Sequence, residues 1–409
     1  MTTDPTDDLI TLGRAHVSRN YAPAPVVMSH GDGMRVWDTR GRCYLDFAAG
    51  IAVSSLGHAH PALVEALQTQ AGRLLHISNG FLNAPQVHLQ ARLARATGLE
   101  RVYLCNSGAE ANEAAIKLVR RAQRVVRGTP RFEVITFEGS FHGRTYGAIS
   151  ATAQPKYHAG FEPMVPGFVA VPWQNLAAVE QVIGPHTAAI LVEPVQGEGG
   201  VRPACQPFLQ GLRQLCDRHG LALIFDEVQT GVGRTGHLFA ADAYGVRPDV
   251  MTIAKGIAGG VPLGAMLSAE AWSNGFERGS HATTYGGNPL ACAAANCVLD
   301  HVEEPHFLER VRQLGRSLRA ALTGLCQRHP TLLVEARGLG LLTGLVTRLD
   351  ASGASSLVTA CREAGILLTT AGGNVVRFSP PLIAGQEALT EAVAIMDGVL
   401  DSFRPPERA

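Results

Sequence analysis

The sequence predicts an α/β protein, with a large domain on a mainly parallel sheet and a smaller α+β domain beside it. Three observations carry this expectation. From about residue 98, short apolar runs alternate with helical patterns, the rhythm of βαβ units. The runs at 221–225 and 250–253 are apolar apart from Thr252, as expected of strands covered on both faces. After about residue 304 the rhythm changes to a long helix followed by short strands. The 409 residues suffice for a large core and two domains. We expect the large domain over 60–304, and the small one from 1–59 and 305–409.

The elements follow in order. Residues 33–38 and 43–47 flank a turn at Thr39-Arg-Gly-Arg and predict a hairpin. Pro61 opens a helix to about Gln70, proline being tolerated in a first turn. Val102-Tyr-Leu-Cys reads as a strand, followed by a helix over 109–127. Strands are expected at 133–137 and 187–193, a helix at 207–220, then strands at 221–225 and 250–253. The last part predicts a helix over 307–329, strands at 332–337 and 341–346, a helix, a strand at 374–378 and a closing helix.

Composition narrows the function classes. Hydrophobic residues are 46% and charged residues 17%, a globular balance. Lys+Arg 35 offsets Asp+Glu 35, so no nucleic-acid partner is indicated. The acidic, polar start to Leu12 lacks the features of a signal peptide, and no apolar run reaches the ~18 residues of a membrane span. Eight cysteines are scattered without a Cys-x-x-Cys pair. That usage predicts a reducing cytoplasm and signals no metal site.

Chemistry concentrates where strands end. Asp226 closes one buried run, and Lys255 follows another in Asp249-Val-Met-Thr-Ile-Ala-Lys-Gly. Open α/β sheets hold their ligands beyond such ends. A buried lysine must be paired, neutralised or used chemically, and a deprotonated one attacks aldehydes. An acidic residue on a neighbouring strand keeps a pyridine nitrogen protonated. These are the two protein groups that pyridoxal phosphate requires.

Other segments admit two readings each. Ser107-Gly108-Ala109-Glu110 joins a strand to a helix; it suits a phosphate or is an N-cap with a turn glycine. Phe141-His142-Gly143-Arg144-Thr145 offers a ring to stack and a guanidinium for a carboxylate, or a packed Phe and a surface Arg. The run from Glu193 to Glu198 looks like a pocket rim. Arg377, within an apolar strand, wants an acidic partner, for function or as a structural ion pair. Gly231-Val-Gly233-Arg-Thr-Gly236 matches a dinucleotide fingerprint. Its context argues against that use, because little room for a helix separates it from Asp249, which begins the next strand.

Five segments complete the pattern: Ser107-Gly-Ala-Glu-Ala-Asn-Glu-Ala, Phe141-His-Gly-Arg-Thr, Val192-Glu-Pro-Val-Gln-Gly-Glu-Gly-Gly, Phe225-Asp-Glu-Val-Gln-Thr-Gly-Val-Gly-Arg-Thr-Gly and Thr284-Tyr-Gly-Gly-Asn-Pro-Leu-Ala. Together they resemble the class III, pyridoxal-phosphate-dependent aminotransferases of fold type I, from about Tyr21 to residue 400. Within that family the likeness is greatest to the acetylornithine branch. It implies that Lys255 carries the cofactor covalently and then moves the proton between the substrate's amine-bearing carbon and the cofactor. Asp226 would pair with the ring nitrogen, Gln229 face the ring oxygen and Phe141 stack on the ring. Ser107, Gly108 and Ala109 would hold the phosphate, with Thr284 added from the partner subunit of a homodimer. Arg144 would take the donor's α-carboxylate. Arg377 would take that of 2-oxoglutarate, with Glu198 neutralising it otherwise.

The resemblance further implies transfer of the δ-amino group of N2-acetylornithine to 2-oxoglutarate, a step of arginine biosynthesis. Ile51 stands where ornithine aminotransferases carry a tyrosine, which counts against free ornithine. Tyr21 matches a tyrosine of that branch that acetylornithine enzymes can share. Asn112-Glu-Ala, Gln154-Pro-Lys-Tyr-His and Gly286-Gly-Asn-Pro-Leu keep the acetylornithine form rather than that of the 4-aminobutyrate branch. Thr283 departs from the commonest family residue where the substrate's distal end meets the phosphate. A succinylornithine or succinyl-diaminopimelate substrate therefore stays open. A non-catalytic binding protein on this fold is disfavoured by the presence of both Lys255 and Asp226.

Overall fold

The computed structural model describes residues 4–405. Its centre is a seven-stranded sheet whose order is Arg101–Cys105, Gly264–Ser268, Val250–Ile253, Ala222–Asp226, Thr187–Val192, Glu133–Phe137 and Phe168–Val171. Four adjacent pairs are parallel. Gly264–Ser268 runs antiparallel to both neighbours, so the sheet is mainly, not wholly, parallel. The central strands are buried along their length. This explains their largely apolar sequences, since helices cover both faces.

The helices show ordinary punctuation. Gln206–His219 has a proline in its first turn and ends at Gly220, which is left-handed at φ 65°. The helix expected over 109–127 is α-helical only from Gly108 to Arg121, and passes into a π-turn over Ala122–Val126. Three helices of more than ten residues went unread in the sequence, Pro5–His16, Ala84–Thr97 and Pro289–Val302, as did shorter ones such as Tyr146–Ala151 and Leu176–Val182. Pro289–Val302 has small residues around much of its circumference, and nine of its residues are buried. No polar face marks it by periodicity.

A second sheet is antiparallel, in the order Leu333–Leu339, Leu342–Thr347, Val375–Phe378 and Thr369–Ala371. The N-terminal strands Met28–Asp32, Arg35–Asp38 and Cys43–Asp46 form a third sheet, completed by Ile366–Leu367 parallel to Cys43–Asp46. Chain ends far apart in sequence therefore share one sheet.

The Gly231/Gly233/Gly236 motif is a packing loop. The next helix, Ala240–Tyr244, has five residues, too short for a dinucleotide unit. A Cβ on Gly233 would stand 2.6 Å from the Val302 side chain, and one on Gly236 2.4 Å from that of Arg312. Arg234 is buried between the sheets, and its Nη1 donates to Leu341 O at 3.1 Å and Pro380 O at 2.5 Å. The loop after Asp226 is thereby tied to the strand that carries Arg377.

Candidate active site

Neighbouring strand ends bring the chemistry together. Asp226 pairs in parallel register with Thr252, three residues before Lys255. Lys255 opens a short 3-10 turn at φ 47°, a left-handed conformation uncommon for a side-chain-bearing residue and costly enough to need support. Ser55 supplies some of it, its hydroxyl donating to Gly256 O at 2.9 Å. A cavity of about 410 Å³ lies beyond these ends. Ser107, Gly108, Ala109, Phe141, Arg144, Glu198, Asp226, Gln229 and Lys255 all line it.

Each group has a defined environment. The Asp226 carboxylate is buried and accepts three hydrogen bonds: from Asn112 Nδ2 at 2.8 Å, His142 Nδ1 at 2.8 Å and the Val228 amide at 3.0 Å. Asn112 is itself held, accepting from the Thr252 hydroxyl at 2.7 Å and donating to His142 O at 2.7 Å. Glu193, also in the cavity lining, accepts from the amides of Phe141 and Gly197. Burial, opposed by His142, pushes its carboxyl up to about 7. Burial likewise lowers the Lys255 pKa, with Glu198 opposing and Arg377 adding to the shift. A lysine so placed deprotonates more readily than one in water.

Arg377 is buried behind Glu198. Its Nη1 donates to Glu198 Oε1 at 2.5 Å and Gln229 Oε1 at 3.3 Å, and its Nε to the Thr369 hydroxyl at 3.1 Å. Burial works against the Glu198 carboxylate, but Arg377 and then Lys255 outweigh it and hold its pKa below the usual range. Arg144 sits across the cavity without an ion pair among the described residues, its guanidinium over the rings of Tyr157 and Phe141.

Not every expected residue enters this cavity. Thr283 and Thr284 line a second hollow with His76, Ser78 and Asn79. Asn106 joins the two, donating to the Thr283 hydroxyl at 3.3 Å. Tyr21 is 70% exposed and Ile51 44%, and neither lines the cavity. Sequence reasoning missed Asn112 and His142 as supports of Asp226, and Val228 and Pro262 as cavity walls. Asn112 and His142 did lie inside segments already singled out. Their polarity within otherwise buried surroundings was the available signal.

The residues fit pyridoxal phosphate. Gly108 and Ala109 begin the helix Gly108–Arg121, so their amides lack intrahelical acceptors and face the cavity. A Cβ on Gly108 would stand 2.7 Å from the Val228 side chain, which explains the glycine. An anchored carboxylate and a lysine of lowered pKa share the same chamber. Such a fold and site define a transferase that works through a covalently held aldehyde cofactor.

Comparison with known proteins agrees. The family model Aminotransferase class-III matches residues 16–400. An acetylornithine aminotransferase of Caldanaerobacter subterraneus subsp. tengcongensis is 45% identical over 97% of this chain and 100% of its own. A succinylornithine transaminase of Salmonella typhimurium is 48% identical over 90% of each. Among solved structures, an ornithine aminotransferase from Toxoplasma gondii, described with partial occupancy of PLP at its active site, superposes with a TM-score of 0.93. It is 36% identical and covers 97% of this chain and 94% of its own. The chain belongs to the class III aminotransferases of fold type I, and is a pyridoxal-phosphate-dependent transaminase with small-molecule amino donor and acceptor.

Proposed function

We propose that the enzyme moves the δ-amino group of N2-acetylornithine to 2-oxoglutarate, giving N-acetylglutamate 5-semialdehyde and glutamate in cytoplasmic arginine biosynthesis. The observation that carries this is the pairing of two arginines of opposite state at one chamber, Arg144 in its lining and Arg377 behind Glu198. Arg377 is covered by Glu198, while Arg144 forms no ion pair among the described residues. A donor with a single carboxylate would use Arg144 and leave Arg377 neutralised. A dicarboxylate acceptor would displace Glu198 from Arg377. One pocket then serves two unlike substrates in turn, with ping-pong kinetics.

The residue roles belong to the same proposal. Bound pyridoxal phosphate would supply the aldehyde that takes up the amino group and the ring that draws electrons from the deprotonated carbon. Ser107, Gly108 and Ala109 would hold its phosphate, Phe141 its ring face, Gln229 its ring oxygen and Asp226 the proton on its nitrogen. Lys255 Nζ would take and return the proton at the substrate carbon. Glu198→Ala should slow the amino-donor half-reaction, through uncovered Arg377, more than the keto-acid half-reaction. Equal effects on both would refute the exchange.

A homodimer is part of this reading. Exposed Leu75, Phe81, Leu82 and Tyr285 cluster in the two segments around the Thr283–Thr284 hollow, and apolar patches of this kind mark interfaces. Thr284 would serve the partner's phosphate site, and Tyr21 and Thr283 the substrate's distal end. A sedimentation mass near the 43.3 kDa of one chain would refute the dimer. The division into parts at 60 and 304 is proposed with it.

Succinylornithine is the second reading, favoured by the Salmonella relative at 48% identity. The deciding experiment follows the cofactor's absorbance as the loaded enzyme meets N2-acetylornithine, N2-succinylornithine, ornithine and 4-aminobutyrate. Fastest conversion by acetylornithine is expected. Fastest conversion by another amine would keep the chemistry and refute the substrate.

A further inference from the structure

We propose that Tyr157 is a positioning residue for Arg144, holding its guanidinium toward the cavity without placing a competing carboxylate on it. The inference rests on the reading that Arg144 receives the donor's α-carboxylate. The Arg144 guanidinium carbon lies 4.1 Å from the centre of the Tyr157 ring and 5.4 Å from that of Phe141. The two rings meet edge to face, 5.6 Å apart at 77°. Lys156 Nζ stands 4.8 Å from the Tyr157 ring.

Tyr157 is tied to the scaffold of the site through its chain neighbours. It ends the 3-10 turn Pro155–Tyr157. On one side Gln154 Nε2 donates to Gly139 O at 3.1 Å and Ser140 O at 3.0 Å. On the other, His158 Nε2 lies 2.9 Å from Ile149 O and 2.8 Å from Thr152 O. The turn is thus anchored to the backbone flanking Phe141 and Arg144.

The physical logic separates the two arginines. A long guanidinium side chain left in solvent must be ordered when it grips a carboxylate, and that ordering weakens binding. Pairing it with a protein carboxylate would order it but block the substrate, as Glu198 does at Arg377. An aromatic face orders a cation by its quadrupole. It leaves the N–H fork free for a bidentate partner. The phenol hydroxyl is not needed for this, so phenylalanine should serve as well.

The test compares N2-acetylornithine with its decarboxylated counterpart, N-acetyl-1,4-diaminobutane, in the loaded enzyme. The readout is the ratio of their kcat/KM values, which measures recognition of the carboxylate alone. Tyr157→Leu should lower the ratio roughly tenfold, within the range of a cation–π contact, while Tyr157→Phe keeps it. In an Arg144→Gln background, Tyr157→Leu should lower it no further. Tyr157→Met serves the same comparison if the leucine variant does not fold. A fall in both donors that leaves the ratio intact would overturn the inference, as would a loss of cofactor affinity in its place, which would mean that Tyr157 acts through Phe141. Arg144→Gln with an unchanged ratio would instead overturn the reading of Arg144 itself.

Discussion

Lys255→Ala is expected to reduce turnover by about 10³-fold or more, toward the upper end of what a positioned acid–base group contributes. The fold should survive, because Lys255 lies at the cavity and the strand before it is buried independently of its side chain. The left-handed backbone at this residue would be strained for alanine too, so any loss of stability should be small beside the loss of rate. Two readouts separate chemistry from folding. Borohydride should fix pyridoxal phosphate covalently on Lys255 of the parent enzyme and nowhere on the variant. Equilibrium dialysis should still find cofactor held non-covalently by the variant. Turnover within tenfold of the parent would show that another group moves the proton.

The sequence revealed the parts of this site that are continuous in the chain. Asp226 and Lys255 were legible because each ends an apolar run, and parallel neighbouring strands put such ends together. Ser107 to Ala109 were legible because a strand must turn there into a helix. What the sequence hid is contact across long separations. Asn112 meets Asp226 from 114 residues away and His142 from 84. Nothing local in a histidine beside a phenylalanine says that its Nδ1 faces a carboxylate. The Arg377–Glu198 pair, 179 residues apart, came from family resemblance rather than from pattern.

The same limit explains the fold-level differences. The antiparallel strand Gly264–Ser268 is short and fully buried, so its sequence resembles that of its parallel neighbours and carries no sign of direction. Pro289–Val302 hides as a helix because neighbours surround it, including Pro61–Ala71 and Ala84–Thr97. The fingerprint at Gly231, which its sequence context already argued against, has a packing explanation. Gly233 and Gly236 are required by the Val302 and Arg312 side chains packed on them, and Gly231 by the nearby Glu227 carbonyl, not by a pyrophosphate.

Asp226→Asn should lower kcat by about 10²- to 10³-fold, the usual effect of removing one preorganised electrostatic partner from a reacting centre. Three donors converge on this carboxylate, from Asn112, His142 and the Val228 amide. An asparagine must turn its own NH₂ toward at least one donor or toward the cavity. Either way the negative charge that would hold the ring nitrogen protonated is gone, and so is the ring's pull on electrons from the substrate carbon. His142 makes the loss harder to repair, because among the described residues its Nε2 is buried without a hydrogen-bond partner, which leaves Asp226 as the side chain that anchors the imidazole. A cofactor analogue methylated at the ring nitrogen supplies the missing positive charge permanently. Loading it into Asp226→Asn should recover part of the lost rate, whereas loading it into the parent should not raise the rate. If the analogue gives no recovery in a variant that binds it, Asp226 acts by positioning the ring and not by charge.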